Sequence, residues 1–386
     1  MTPASPPTDA HEAEFPLEPG LCHLNHAGVA PWPRRAMEAA CAFARENAAQ
    51  GSLDYPGWLR NEARLRHNLA ALLGVSDPDE VALVPSTSAG LSLVAHGLAW
   101  QTGDEIVLPA GEFPSNRIVW DSLRQRHGVR LVEIPLPERD PEAALIQALG
   151  RRTRLLAASA VSYANGLRLD LGRLDEACRR NGVLFCVDAI QQLGALPFDA
   201  LAAGADFVAA DGHKWMLGPE GLAAFWCRPE LRERLSLLQH GWHMVEAMGE
   251  FERQDWQPAR SARRFEPGSP NMLGIHVLKA STDLLLEVGM KQVAEALRAR
   301  RRHLEEGLSR LGCRIHSPRG EQRDSGILVF SHPRIDADAL YAWLMQHRVL
   351  CARRGPGVRF SPHFYTPHAR LELALERVAE ALHALT

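Results

Sequence analysis

Three short stretches of this chain combine residue types that can do chemistry. The first is Ala209-Ala210-Asp211-Gly212-His213-Lys214-Trp215, at the end of an apolar run. Lysine is rarely buried without a partner. One leaving a buried strand suits an amine that condenses with an aldehyde, or one that simply exits to solvent. The second is Leu184-Phe185-Cys186-Val187-Asp188-Ala189, an apolar run that ends in a carboxylate. An aspartate there can pair with a protonated ring nitrogen, or cap a helix or turn. The third is Val84-Pro85-Ser86-Thr87-Ser88-Ala89-Gly90. Its small residues let the backbone approach an anion, and an opening helix adds free N–H groups and a favourable dipole. Plain N-capping by Ser or Thr is the simpler role. Together and in this order, the three offer a phosphate cradle, a counter-ion for a ring nitrogen and an amine for an aldehyde. That is the set pyridoxal 5′-phosphate requires.

The elements that must position these groups are legible as alternating patterns. Short apolar runs occur at Val81–Val84, Glu105–Leu108, Arg130–Ile134, Leu155–Ala158, Leu184–Val187, Phe207–Ala210 and Leu222–Trp226. Helical spacing fills Ser88–Trp100, Pro114–Arg126, Pro141–Leu149 and Leu171–Asn181, and two helices precede them at Pro33–Gln50 and Trp58–Leu73. This rhythm predicts an α/β fold with a mostly parallel sheet covered by helices. In such sheets ligands sit at the carboxyl ends of the strands. Gln239–Arg264 has no period and reads as an irregular joining segment. Pro270–Leu311 reads as two long helices broken near Gly289. Strands at Gly326–Phe330, Val349–Ala352 and Val358–Ser361, with helices at Ala337–Gln346 and Ala369–Leu385, predict a smaller α+β domain. The division is a flexible lead-in over 1–20, a large domain over 21–264 and a small C-terminal domain over 265–386.

Composition narrows the class. The 386 residues are 46% hydrophobic and 23% charged, enough for a large core without disulfide or metal staples. Lys and Arg number 43 against 46 Asp and Glu, too even for a dedicated nucleic-acid or membrane-surface binder. Seven cysteines without CxxC spacing read as reduced thiols of a cytoplasmic protein. The opening MTPASPPTDAHEAEF lacks the basic and apolar regions of a signal peptide. Runs such as Leu155–Val161 fall far short of the roughly 20 residues that span a bilayer.

Several motifs now resemble, in order, those of the class V aminotransferases among the fold-type I PLP-dependent enzymes, which include cysteine desulfurases, kynureninase and isopenicillin N epimerase. His23-Leu24-Asn25-His26-Ala27-Gly28 resembles the family's opening "LNxA" segment. Ser86–Gly90 resembles its "GTTEG" phosphate loop, and Glu112-Phe113-Pro114-Ser115-Asn116 the segment whose aromatic residue stacks on the cofactor. Val187-Asp188 with Gln191 resembles "VDxxQ", and Gly212-His213-Lys214 resembles "GHK". Phe265-Glu266-Pro267-Gly268-Ser269-Pro270-Asn271 resembles "FExGTPN", and Val358-Arg359-Phe360-Ser361 the "CRxS" type. The resemblance implies a large domain with a mostly parallel seven-stranded sheet. It implies that Lys214 holds the cofactor as a Schiff base and shuttles the Cα proton. Asp188 would bind the pyridinium nitrogen, Gln191 the ring hydroxyl, and Phe113 would stack on the ring. Thr87, Ser88 and His213 would hold the phosphate, with Ala89 and Asp211 completing the cofactor-binding set. Ser269 would reach the phosphate of the other subunit, which implies a homodimer with shared active sites. Arg359, with Asn25 and His26, would bind a small amino-acid substrate.

The departures from the pattern matter as much. Phe113 stands where desulfurases carry a His, and Phe cannot donate a proton. Between Arg353 and Arg359 lie only Arg354-Gly355-Pro356-Gly357-Val358, with no nucleophilic Cys. Cys351 reads as an inert core thiol. Asp211 replaces a small hydroxyl residue, and either Ser162 or Asn165 faces the cofactor. The expected activity is amino transfer at Cα of an amino acid. A C–S lyase lacking the loop Cys and an amino-acid epimerase are the neighbouring readings. From other classes come a catalytically silent binding protein of the same fold and a metal hydrolase using the 17 His. His240-Gly241-Trp242-His243 has HxxH spacing but no identifiable third ligand, so no metal site is expected. The basic runs Arg260–Arg264 and Arg298–Arg302 read as an interface loop and a solvated helix face.

Overall fold

The computed structural model describes residues 11–385. Strand β1 (Cys22–His23) lies outside the main sheet. That sheet is built from β2 (Val81–Val84), β3 (Glu105–Pro109), β4 (Arg130–Ile134), β5 (Thr153–Ser159), β6 (Leu184–Asp188), β7 (Phe207–Asp211) and β8 (Ala223–Cys227). All seven runs expected to be strands are strands. Their order is β2-β8-β7-β6-β5-β3-β4. Only β8 is reversed, antiparallel to β2 and β7; the other neighbours pair parallel. The runs are continuously apolar because both faces are covered. Val81, Leu83, Val107 and Phe185 point into one core, and Ala82, Val84, Ile106 and Cys186 into the other. This is the α/β, fold-type I arrangement.

Helices α1 (Arg34–Gln50), α2 (Tyr55–Leu73), α3 (Thr87–Gly97), α4 (Ser115–His127), α5 (Pro141–Gln147) and α6 (Leu171–Asn181) match the predicted helical stretches to within a few residues. Their ends carry visible signals. Asp170 caps α6 by accepting from the Arg173 N–H, and Gly182 closes it in the left-handed region. The two long helices are α7 (Met272–Val288) and α8 (Met290–Arg310), broken at Gly289 with φ +86°. Helix α7 packs on α1 and α2. Helix α8 leads to a four-stranded antiparallel sheet of β9 (Arg314–Ile315), β10 (Leu328–Ser331), β12 (Ala352–Arg354) and β13 (Gly357–Phe360), ordered β12-β13-β10-β9. Helices α9 (Ala337–Gln346) and α10 (His368–Ala384) complete this part.

Three expectations need correction. The single strand foreseen at Val349–Ala352 is two. Strand β11 (Val349–Leu350) pairs parallel with β1, whereas β12 joins the four-stranded sheet. The basic run Arg298–Arg302 is not a solvated face: Arg300 and Arg301 are each 2% exposed. The Nε of Arg300 donates to the Thr366 carbonyl at 2.6 Å, and Arg301 pairs with Glu305 at 3.0 Å. Residues 1–10 of the foreseen lead-in lie outside the described residues. Residues 11–20 are tethered at two points: Phe15 is buried against Phe364 and Tyr365, and Glu14 pairs with Arg35 at 2.7 Å.

Candidate active site

The carboxyl ends of β2, β3, β5, β6 and β7 converge on one cavity of about 310 Å³. Strand β2 runs into the cap of α3. The Ser86 hydroxyl accepts from the Ala89 N–H at 3.2 Å, which leaves the first N–H groups of the helix, at Thr87 and Ser88, facing the cavity end. Thr87 also ties this cradle to the lysine strand, since its Oγ1 accepts from the Asp211 N–H at 3.0 Å. Helix α3 can sit this close to the sheet because residue 90 is glycine: a Cβ there would lie 3.0 Å from Ala209 Cβ. Strand β6 ends at Asp188, in register beside Ala209 of β7, and Lys214 follows β7. Residue 113, after β3, contributes a phenyl ring edge-on to Tyr163, with centroids 5.1 Å apart.

Burial sets the electrostatics. It pulls the Lys214 ammonium down to about 8, opposed by Asp188 and reinforced by Arg359. Its Nζ lies 5.3 Å from the Phe113 ring centroid. Burial pushes the Asp188 carboxyl up to about 6, against the Ile190 N–H at 3.0 Å and the charge of Lys214. Glu112, bonded to the Ser159 N–H at 2.7 Å, is pushed up to about 7, again chiefly by burial. Arg359, 1% exposed, is pulled down to about 9 by burial and by neighbouring Arg354. Its Nη1 donates to the Tyr163 carbonyl at 2.9 Å and its Nη2 to Asn25 Oδ1 at 3.2 Å. The Nε of Arg359 and Nδ1 of His213 are buried without a hydrogen-bond acceptor.

These residues fit pyridoxal 5′-phosphate. Asp188 lacks the full compensation that a protonated pyridine nitrogen would supply. The Thr87 and Ser88 amides offer an anion site, and Lys214 offers an amine that titrates close to neutrality. Gln191 is pinned by donating to the Ala27 carbonyl at 3.0 Å and accepting from Trp215 Nε1 at 2.8 Å. A larger cavity of about 940 Å³ lies alongside, bordered by Glu112, His316 and Arg323. It contains none of Lys214, Asp188 or Arg359, so the smaller cavity is the chemical one.

Most expected site residues meet there: Lys214, Asp188, Thr87, Ser88, Phe113, Gln191, Asp211, His213 and Arg359 all line it. Ala89 does not; its N–H is taken by Ser86. Asn25 acts from behind, through Arg359. His26 is turned away, fully buried, with Nδ1 bonded to the Ser361 carbonyl at 2.8 Å and Nε2 to the Tyr365 hydroxyl at 2.6 Å. Ser269 is exposed, outside the cavity. Asp211 Oδ1 lies 2.7 Å from His213 Nδ1, but out of line for a hydrogen bond. Ser162 and Asn165, the two alternatives weighed for the cofactor face, both border the larger cavity instead, and Tyr163 between them lines the smaller one. Tyr163 and Arg354 also line the cavity and were not among the expected site residues. The alternation of side chains along β12 is the signal that would have found Arg354. Cys351 is buried, its thiol pushed up to about 12 by burial, and no cysteine lines the cavity. His243 does lie near Glu62 and Glu266, close enough for the three to share a metal ion. Arg66 already donates to both carboxylates, at 2.5 and 2.7 Å, and His240 is not part of the group.

Known proteins resemble this chain over nearly its whole length. The family model described as Aminotransferase class-V matches residues 23–368. Isopenicillin N epimerase of Streptomyces clavuligerus is 32% identical, with 96% of each chain covered. A probable cysteine desulfurase of Methanothermobacter thermautotrophicus is 28% identical, with 97% of this chain and 98% of the relative covered. Among solved structures, the cystine C-S lyase C-DES, in complex with its reaction product cysteine persulfide, superposes with a TM-score of 0.87. It is 25% identical, with 95% of this chain and 99% of that chain covered.

Proposed function

Because this chain belongs to the aminotransferase class-V family and its cofactor is pyridoxal 5′-phosphate, we propose that it is an aminotransferase acting at Cα of an amino acid. The observation that carries this reading is a cavity with one amine, Lys214, and no thiol. A single base serves amino transfer, because one group can take the proton from Cα and return it elsewhere on the same face. The bound cofactor supplies an electron sink and carries the amino group. Lys214 Nζ would hold the cofactor at its aldehyde carbon and would serve as the base for the Cα proton. Asp188 would keep the ring nitrogen protonated, Gln191 would bind the ring hydroxyl, and Phe113 would stack on the ring. The Thr87 and Ser88 N–H groups, with His213, bind the phosphate. Arg359, oriented by Asn25, clamps the α-carboxylate.

Ser269 completes the phosphate site of a second copy in this reading, which makes the enzyme a homodimer with shared sites. Its exposed position supports that role. We divide the chain into a large and a small domain, foreseen as 21–264 and 265–386; the packing of α7 on α1 and α2 supports a seam after that helix. The scattered cysteines support a cytoplasmic setting, and among the described residues no helix is long and apolar enough to cross a membrane. A second reading, C–S lysis without a loop cysteine, is supported by the likeness to C-DES. An amino-acid panel separates the reactions. Amino transfer leaves pyridoxamine phosphate and a 2-oxo acid in equal amounts, with no ammonia. Release of ammonia and sulfur would favour the lyase, and inversion alone would favour an epimerase.

A further inference from the structure

Arg354 enters the cavity by strand parity. Strands β12 and β13 pair antiparallel, with Ala352 opposite Arg359 and Arg354 opposite Gly357. Side chains two apart on a strand share a face. Arg354 and Arg359 are therefore diagonal neighbours on one face, roughly 7–8 Å apart. Arg353 points to the other face, where its Nε meets Asp338 Oδ1 at 2.7 Å. It is thus Arg354, not Arg353, that stands beside the proposed carboxylate clamp.

Neither cavity arginine has a carboxylate partner among the described residues. Arg354 Nη1 donates to the Arg353 carbonyl at 2.8 Å, and its Nε is buried with no acceptor. Arg359 is held by one carbonyl and one amide oxygen, and its Nε is likewise without an acceptor. The acidic side chains of the cavity are committed elsewhere. Asp188 ends β6 at the ring-nitrogen position, and Asp211 lies against His213. Two adjacent guanidiniums repel, and Arg359 is depressed partly for that reason. Tyr163 flanks both: its carbonyl accepts from Arg359, and its ring lies 6.0 Å from Arg354 Cζ. Apart from the phosphate, which the Thr87 and Ser88 end of the cavity suits, an α-carboxylate supplies an anion for only one of the two guanidiniums.

We propose that Arg354 is a specificity residue that binds a second, distal carboxylate, so that the substrate is a dicarboxylic α-amino acid. This rests on the reading of Arg359 as the α-carboxylate clamp. A guanidinium fork matches a carboxylate in two parallel hydrogen bonds, which an amide or ammonium does not reproduce.

Calorimetric titration of the holoenzyme with unreactive acids tests it. The probes are succinate, glutarate and adipate against valerate, which carries one charge. At least one dicarboxylate should bind tenfold or more tightly than valerate. Arg354→Gln should erase that preference, Arg354→Lys should restore part of it, and cofactor content should stay at the wild-type level in both. Equal affinities in the wild type, or a preference that survives Arg354→Gln, would overturn the proposal. Loss of cofactor in Arg354→Gln with circular dichroism unchanged would give this guanidinium to the phosphate, and would overturn it equally. Arg359→Gln separates the two readings. It should weaken valerate as well as the dicarboxylates. Valerate binding that survives that substitution would remove the clamp itself, whereas valerate binding that needs Arg359 without any dicarboxylate advantage removes only the second-carboxylate proposal.

Discussion

Lys214 is an amine held in the wrong solvent for its charge. Burial lowers it from the ordinary 10.5 to about 8, with Asp188 pulling the other way. The neutral amine is the nucleophile, so cofactor capture by the apo protein should rise with pH about a midpoint near 8. Stopped-flow absorbance measures this, and a midpoint near 10 would mean a solvated lysine. Removing the opposing charge in Asp188→Asn should move the midpoint down. Removing the like charge in Arg359→Gln should move it up. Lys214→Ala should leave no cofactor fixed to protein after borohydride. Asp188→Ala should cut turnover by orders of magnitude while cofactor still binds, because a ring nitrogen without its counter-ion is a weak electron sink. Cys351→Ser should leave sulfur release from cysteine, and turnover generally, close to wild type. A large loss in that variant would restore a persulfide mechanism.

At the scale of elements, the small sheet aims the arginines and the large sheet aims the cofactor groups. Strand β13 can approach β10 only because residue 357 is glycine. A Cβ there would lie 2.0 Å from the Phe330 carbonyl oxygen and 2.6 Å from its carbonyl carbon, both backbone atoms that cannot step aside. Gly357→Ala should therefore destabilise the fold by about 1–3 kcal/mol and weaken carboxylate binding, since Arg359 and Arg354 ride on the displaced hairpin. Urea unfolding and ligand titration read the two effects. Gly150→Ala, where a Cβ meets nothing within 4 Å, is the control. Equal behaviour of the two variants would show that the β10–β13 approach is not tight.

For the whole molecule, the proposed homodimer makes the phosphate site the part that a second copy completes. The loop bearing Ser269 is anchored by Glu266, which accepts from Arg66 and from the Leu83 N–H at 2.8 Å. Ser269 itself is exposed and lies outside the cavity that holds Lys214. Ser269→Ala should lower cofactor affinity severalfold without lowering the melting temperature. Dilution that dissociates the dimer should release cofactor in step, as read by light scattering and cofactor absorbance. A monomer that stays saturated and active would end the shared-site reading.

The succession of strands along the chain, the residue types at their ends and the cofactor class were legible in the sequence, because each depends on local signals. Seven apolar runs, the cap at Ser86 and the GHK after β7 all lie within a few residues of the groups they place. What lay beyond reach depends on contacts between segments far apart in sequence. Strand β1 draws Val349–Leu350 away from β12. Ser361 and Tyr365 capture both nitrogens of His26 and so keep it out of the cavity. The buried arginines of α8 are satisfied by carbonyls that only folding brings near. The choice of Arg354 over Arg353 needed the register of β12 on β13 and the direction of Asp338, since one residue of shift exchanges the faces of a strand. Types and spacing pointed to the cofactor; tertiary register decided which side chains line the cavity.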